Sequence, residues 1–193
     1  GQAFQLGASE PLLLLGSGAL RAEAQTHAAR IQAKTGCRIM TECLNGLHQR
    51  GRGRLPLSRV PYPPGPAIAA LADVEHLILV GSKAPVGFFA YPGQPSEFTP
   101  EGVNILQLSH PHEDGVAALE AVAAAFPPAK PKTMPYAPSA LPADGALTNE
   151  AIMRVVAHHL LEGAIVVDEA ITGTFGLYGL LETAAPFDCL QLT

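Results

Sequence analysis

The run of four leucines Leu12–Leu15, followed by the turn Gly16-Ser17-Gly18, constrains the fold of this chain more than any other feature of its sequence. Side chains of a strand buried on both faces of a parallel sheet lose the usual alternation, so the leucines predict a central parallel strand. The glycines allow a tight turn in which backbone atoms face any ligand. A helix is predicted from Leu20 to about Lys34, and backbone amides at such a turn can hold a phosphate.

Plain packing of the strand against its helix explains the same turn equally well. Arg21 stands where the dinucleotide-binding fingerprint has its third glycine. No suitably spaced acidic residue clearly closes the next predicted strand, Cys37–Thr41. Both interpretations, a nucleotide site and simple βα packing, therefore stay open for this turn.

A second predicted strand runs into glycine at His76–Gly81. Two such edges in one sheet favour a ligand site, because ligands of open α/β sheets bind at the carboxyl ends of the strands. Lys83 lies just beyond the second edge and can neutralise a phosphate, although a solvated charge is the simpler interpretation. The candidate nucleotide-binding residues at the two edges are Gly16, Ser17, Gly18, Gly81, Ser82 and Lys83.

Composition narrows the function classes. The 193 residues are 48% hydrophobic and 15% charged, which is enough for one large domain or for one domain plus part of another. A net charge of −5 argues against nucleic acid as a partner. No run approaches the roughly 20 apolar residues of a membrane span, and the start of the sequence lacks a signal peptide, so a cytoplasmic protein with no membrane partner is expected. The three cysteines have no metal-ligand spacing and predict reduced thiols.

Two charged segments can each be interpreted either as a binding site or as an ordinary structural feature. The loop Gln49–Arg54 alternates arginine with glycine and could bind an anion or the carboxylates of a partner. A solvated loop that carries charge for solubility or for an interdomain contact is the favoured interpretation. His110 and His112 are held apart by a proline and have no third ligand nearby, so no metal site is predicted. Glu113 and Asp114 instead predict the start of a helix over 115–126.

The domain organisation follows from a proline-rich segment. Six prolines fall within the sixteen residues 127–142, which predicts a linker. We therefore divide the chain into an α/β domain over 1–128, a linker over 129–147 and the incomplete start of a second domain over 148–193. In that last part, a helix over 151–161 is capped by Thr148, a buried strand follows at 164–169, and a short helix is predicted over 175–183. These elements are too few to bury a core by themselves.

The order of these motifs resembles the thiamine-diphosphate-dependent decarboxylase and acetolactate synthase family, specifically its central domain and the beginning of its C-terminal cofactor domain. The loop and aromatic segments are most similar to acetolactate-synthase-like and benzoylformate-decarboxylase-like members. The segments that carry the resemblance are 12–19, 50–54 with 59–63, 79–85 with 88–93, and 164–174.

The resemblance implies an α/β fold: a Rossmann-like, six-stranded parallel sheet with helices on both faces, plus a partial second α/β unit. It also implies a three-domain enzyme that forms dimers or tetramers and uses thiamine diphosphate and Mg²⁺. In the family, a glutamate of the N-terminal domain activates the cofactor, and a Gly-Asp-Gly motif with a downstream asparagine binds the diphosphate and the metal. No Gly-Asp-Gly occurs in this sequence. The chain by itself is therefore expected to be inactive, with no catalytic residue and no metal ligand of its own.

Site residues also follow from the resemblance. Glu169, Thr172 and Gly173 match the segment where the C-terminal domain first meets the cofactor, although a strand end followed by a helix start explains them equally well. Some family members bind FAD or ADP at the edges that contain Gly16 and Gly81. Here the segment 84–93 replaces the arginine-rich loop of flavin-binding members, and Ser109 and His110 replace the usual acid. FAD and ADP are therefore doubtful ligands, and a vestigial or empty nucleotide site is at least as good an interpretation.

The sequence thus predicts a structural part of a thiamine-diphosphate enzyme that acts on a 2-keto acid by decarboxylation or carboligation. The alternative is a free-standing module that binds an adenine nucleotide or a flavin.

Overall fold

The computed structural model describes residues 10–170, 172–174 and 176–191, which divide into two compact units. The first comprises the chain up to Cys43 together with Leu57–Pro131, and the second comprises Leu44–Pro56 together with the chain from Lys132 onward. The elements in chain order are β1 Leu12–Leu15, α1 Ala22–Thr35, β2 Arg38–Thr41, β3 His48–Arg50, β4 Ser58–Arg59, α2 Pro64–Leu71, β5 His76–Val80, β6 Asn104–Ser109, α3 Gly115–Ala124, α4 Asn149–His159, β7 Ile165–Asp168, α5 Leu177–Leu180 and β8 Phe187–Gln191. The three-part division predicted from the sequence stays a prediction; it did not separate Leu44–Pro56 from the segments around it.

The first unit is built on a parallel sheet of five strands in the order β4-β2-β1-β5-β6. Leu12 of β1 pairs with Arg38 on one side and with Leu77 on the other. The Rossmann-like parallel sheet is confirmed, with five strands in the described residues where the resemblance implied six. Strands are added first on one side of β1 and then on the other, so the topological switch point lies between β1 and β5.

The leucine run forms the centre of this sheet, as predicted. All four of its side chains are completely buried, and alternate ones point to opposite faces. Leu12 and Leu14 belong to a core cluster that includes Ala67 and Leu71 of α2. The helices α1 and α3 pack against each other and contact strands of the sheet. Helices therefore cover both faces, as expected for a parallel sheet.

The helix boundaries differ slightly from the predicted ones. Ser17–Leu20 form a turn of 3₁₀ helix, so α1 begins at Ala22 instead of Leu20. It ends at Gly36, which adopts the left-handed conformation with φ 74°. The predicted start of α3 is confirmed, because the Asp114 carboxylate accepts hydrogen bonds from the amides of Val116 and Ala117.

The two imidazoles that precede α3 do not lie as predicted. The rings of His110 and His112 stack at 5.6 Å between centroids, so the intervening proline does not keep them apart.

The second unit has a sheet in the order β3-β8-β7, with β7 parallel and β3 antiparallel to β8. The expectation that this part of the chain cannot bury a core is wrong. Residues of α4, α5 and β8 form a buried cluster, whose members are Met153, Ala157, Leu177, Leu181, Ala184, Phe187 and Cys189. A third strand, contributed by the earlier segment Leu44–Pro56, completes the sheet that carries this core.

Only one face of β7 is buried. Ile165 is 67% exposed and Val167 is 60% exposed, whereas Val166 packs against the core cluster. The prediction of a fully buried strand is therefore wrong here, because a short apolar run does not reveal whether one face or both faces are covered.

The prediction of a solvated loop over Gln49–Arg54 is also wrong for its first half. Arg50 lies on β3 and is only 4% exposed. Its guanidinium carbon lies 3.3 Å from the ring centroid of Tyr178, and Nη2 donates to the Tyr178 carbonyl at 2.8 Å. A buried cation needs such partners, and the sequence gives no local sign of them.

Within the described residues, no helix combines the length and the apolar character needed to cross a bilayer.

Candidate functional site

The two glycine edges of the first unit meet at the switch point. The Gly16 amide donates to the Val80 carbonyl at 3.0 Å. A Cβ on Gly16 would lie 2.7 Å from the Gly81 carbonyl oxygen, and a Cβ on Gly81, where φ is 62°, would lie 2.5 Å from the Gly16 carbonyl oxygen. The turns therefore pack directly against each other, and only glycine fits at either position.

The polar groups around these glycines are largely used to hold the turns. Ser82 is fully buried, and its hydroxyl donates to the Leu14 carbonyl at 2.8 Å. The Gly81 amide donates to the Ser109 carbonyl at 2.9 Å. The Ser82 side chain therefore ties β5 to β1, and its hydroxyl proton is committed to the protein backbone.

The helix α1 does not begin at this edge, because the 3₁₀ turn Ser17–Leu20 lies between it and β1. The Ala19 amide donates to the Gly16 carbonyl, and the Arg21 amide donates to the Gly18 carbonyl. Ser17 is exposed with a φ of 45°, and a Cβ on Gly18 would meet open space. The structure thus brings all six candidate residues of the first unit to one edge; their assignment as ligand contacts stays a prediction.

Glu42 is the residue at this edge that the sequence analysis missed. It directly follows β2, and its amide donates to the Leu15 carbonyl at 3.1 Å. Its Oε1 accepts a hydrogen bond from the Lys83 amide at 2.9 Å, while Oε2 would lie 2.5 Å from a Cβ on Gly16. An acid at the end of the second strand was therefore available in the sequence. Two features of the sequence could have identified Glu42. It directly follows a predicted strand, and it lies twenty-four positions after Gly18, which is close to the spacing of about 20 in the dinucleotide fingerprint.

Burial raises the pKa of Glu42 above its ordinary value, against the opposing effects of the Lys83 amide hydrogen bond and the Lys83 charge. The native chain thus binds more protons than the unfolded chain between the ordinary and the raised pKa. Stability attributable to this group is present below that interval and is lost as the pH rises through it. The Glu42→Gln variant cannot titrate and can still accept from Lys83.

We expect Glu42→Gln to remove this loss of stability with rising pH, so that its unfolding free energy at neutral pH equals or exceeds that of the wild type. Urea unfolding at a series of pH values measures this effect. Glu120→Gln, at an exposed position on α3, serves as the control and should keep the wild-type slope. A Glu42→Gln variant with the same slope as the wild type would contradict the assignment.

The second candidate site lies in the second unit, at the carboxyl end of the parallel pair β7 and β8. The Thr174 hydroxyl oxygen lies 2.9 Å from Asp168 Oδ1 and 2.9 Å from the Ala170 carbonyl oxygen, either of which can accept its proton, so these three residues lie close together after β7. Thr172 is exposed, and a Cβ on Gly173 would meet no atom of the described residues within 4 Å. Of the predicted segment, Ile171 lies outside the described residues, as does Phe175 at the start of the predicted helix.

Within the described residues, this turn leaves space for a ligand and forms no cluster of metal ligands. Small residues at the carboxyl edge of parallel strands let a ligand approach the backbone. Glu169 and Thr172 are exposed there. No group of three or more potential metal ligands occurs among the residues that the structure describes. The contact of Glu169, Thr172 and Gly173 with a cofactor therefore stays a prediction, and the described residues supply no donor set for Mg²⁺.

No family model matches this chain, whereas known proteins similar to it include the following three. The "Putative acetolactate synthase large subunit IlvX" of Mycobacterium tuberculosis is 38% identical over 97% of this chain and 36% of its own length. A "putative thiamin diphosphate-dependent enzyme isolated from Mycobacterium smegmatis" has a TM-score of 0.65 at 22% identity, covering 98% of this chain and 41% of its own. The thiamine diphosphate-dependent 4-hydroxybenzoylformate decarboxylase of Rhodococcus jostii RHA1 has a TM-score of 0.67 at 12% identity, covering 98% and 38%.

The two solved structures establish the fold. The 38% identity to the Mycobacterium tuberculosis protein shows that the amino-acid sequence is similar as well. The chain spans about a third of the length of that relative. Together these findings confirm the resemblance of this chain to the thiamine-diphosphate-dependent decarboxylase and acetolactate synthase family.

Proposed function

We propose that this chain works as part of a thiamine-diphosphate-dependent enzyme that acts on 2-keto acids by decarboxylation or carboligation. The observation that carries the proposal is the turn after β7, where Thr172 is exposed and Gly173 leaves open space at the carboxyl edge of two parallel strands. The relatives' names supply the chemical class, since one is called an acetolactate synthase large subunit and another a decarboxylase. When bound, thiamine diphosphate supplies the electron sink for such reactions.

In this proposal the chain positions the cofactor and performs no bond-making step. Thr174 holds the turn through Asp168 and Ala170, and among the described residues no atom lies within 4 Å of a Cβ built on Gly173. The diphosphate would approach the backbone of Thr172 and Gly173. The metal ligands and the activating glutamate would come from other parts of the enzyme, and the chain alone would be inactive.

The proposal extends to the assembly of the enzyme as a homodimer or homotetramer in the cytoplasm. An exposed aromatic cluster in the first unit supports a protein contact: Phe88 and Phe89 are each 59% exposed, and their rings lie edge to face at 4.8 Å. Tyr62 extends the cluster, with its ring 6.0 Å from that of Phe88. Contiguous apolar surface of this kind is typical of interaction sites. Sedimentation of the longer enzyme as a monomer would contradict this extension.

The Gly173→Val variant of the full-length enzyme of which we propose this chain to be a part, called the longer enzyme below, tests the cofactor site. We expect its affinity for thiamine diphosphate to fall at least about tenfold, because the new side chain occupies the space that the diphosphate needs, while its melting temperature stays unchanged. Gly145→Val is the matched control, since a Cβ there also meets open space. Titration calorimetry with Mg²⁺ present gives both affinities, and the chain alone should give no saturable heat.

Two results would contradict the proposal. One is equal cofactor affinity in the Gly173→Val and Gly145→Val enzymes. The other is a longer enzyme that, loaded with thiamine diphosphate and Mg²⁺, releases no carbon dioxide from any member of a panel of aliphatic and aromatic 2-keto acids and forms no acyloin from them.

A further inference from the structure

The crevice in which an open α/β sheet binds its ligand lies outside the carboxyl ends of the strands, at the topological switch point. In the first unit this point lies between β1 and β5, where Gly16 and Gly81 are in contact. Groups that stand above the end of β1 at this point therefore decide what the crevice can accept.

The Glu42 side chain stands at this position. Its backbone is bonded to the end of β1 through the Leu15 carbonyl, and its Oε1 accepts from the Lys83 amide beyond β5. The carboxylate thus crosses from the end of β2 over β1 to the end of β5. Its other oxygen and its carboxyl carbon would lie 2.5 Å and 2.8 Å from a Cβ on Gly16, so the group lies directly against that glycine.

An anionic ligand in this crevice would compete with Glu42 for the same space and for the same donor. A phosphate placed at Gly16 would meet the carboxylate within contact distance, and like charges this close repel strongly where solvent is partly excluded. The Lys83 amide, which follows the β5 edge as a ligand-binding amide would, already donates to Glu42. The space that Gly16 leaves at the end of β1 is occupied by the carboxylate of Glu42.

We propose that Glu42 occupies the switch-point crevice as an internal anion and thereby excludes the phosphate groups of adenine nucleotides from the first unit. In this role Glu42 replaces a ligand: it ties together the ends of β2, β1 and β5 in the way that a bound phosphate would. The inference concerns the first unit only and is independent of the thiamine-diphosphate proposal, so each can fail without the other.

Titration calorimetry of the 193-residue chain with ADP at neutral pH tests the proposal. The wild type should show no saturable binding up to about 1 mM ADP. Glu42→Ala, which removes both the charge and the bulk of the carboxylate, should bind at least about tenfold more tightly than that limit. Glu42→Gln keeps the bulk and loses the charge, so its gain should be smaller. Glu113→Ala removes an exposed carboxylate that bonds to the His110 amide and should show no gain.

Saturable binding of ADP by the wild type would overturn the proposal, as would a folded Glu42→Ala variant without any gain. Circular dichroism and the melting temperature report whether each variant is folded. If Glu42→Ala does not fold, Glu42→Gln decides the matter, because its near-isosteric side chain retains the bond to Lys83. No gain in that variant would then overturn the proposal, as would a gain in Glu113→Ala of the same size as in the Glu42 variants.

Discussion

Replacing Gly51 with alanine is expected to destabilise the second unit by about 2 to 5 kcal/mol, combining left-handed backbone strain of 1–2 kcal/mol with overpacking of 1–3 kcal/mol. Gly51 has a φ of 96°, and a Cβ there would lie 2.4 Å from the Ala185 carbonyl oxygen and 2.9 Å from its carbonyl carbon. Those atoms belong to backbone, which cannot rotate out of the way as a side chain can. The loss should appear as a lower urea midpoint for the transition of the second unit.

Gly53 supplies the control for this prediction. It also has a positive φ, 79°, but a Cβ there meets nothing within 4 Å. Gly53→Ala should therefore show the backbone strain alone, about 1 to 2 kcal/mol. If the two variants lose the same stability, the close approach of Gly51 to Ala185 does not determine the fold of this segment.

The Arg50→Ala variant is expected to lose about 3.5 kcal/mol or more, since a desolvated cation–π contact contributes about 2 kcal/mol and a charged hydrogen bond about 1.5 kcal/mol or more. Arg50 is buried, its guanidinium lies over the Tyr178 ring, and it bonds to the Tyr178 carbonyl. Arg50→Lys should lose an intermediate amount, because an ammonium keeps the charge but not the planar stacking. Urea unfolding monitored by tyrosine fluorescence measures these losses of unfolding free energy.

Arg52 lies two residues further on and provides the contrast. Its ion pair with Glu162 joins side chains that are 48% and 69% exposed, and exposed pairs contribute about 0 to 1 kcal/mol. Arg52→Ala should therefore change stability little. Equal losses for Arg50→Ala and Arg52→Ala would show that the contacts with Tyr178 add nothing to the stability of the unit.

The parallel sheet of the first unit could be predicted because its strands carry their signal locally. Leu12–Leu15 and His76–Val80 are continuous apolar runs that end in glycine, and burial on both faces is what such runs require. The same rule failed at Ile165–Asp168, where a run of similar composition has one covered face. An apolar run predicts that a strand forms. Whether one or both faces of that strand are buried depends on which other parts of the chain pack against it.

The strand His48–Arg50 could not be predicted, because nothing in its three polar residues indicates a strand. Its pairing with Phe187–Cys189 and the stacking of Arg50 on Tyr178 come from parts of the chain that are far away in sequence. Glu42 was missed for a related reason. Its residue type and position were visible, but its role depends on the contact with Lys83, which only the assembled sheet brings about.

The pairing of β3 with β8 also means that β3 has to wait for its partner strand while the chain is being synthesised. Gln49 and Asp188, which are hydrogen-bonded, are 139 positions apart, so at ribosomal rates of about 5 to 20 residues per second the segment Leu44–Pro56 waits on the order of ten seconds for its partner strand. An apolar strand left unpaired for that time would be prone to aggregate. The segment instead carries Arg50, Arg52 and Arg54 with glycines between them, a composition that does not favour aggregation, so the strand that pairs last is also one that can stay unpaired in water.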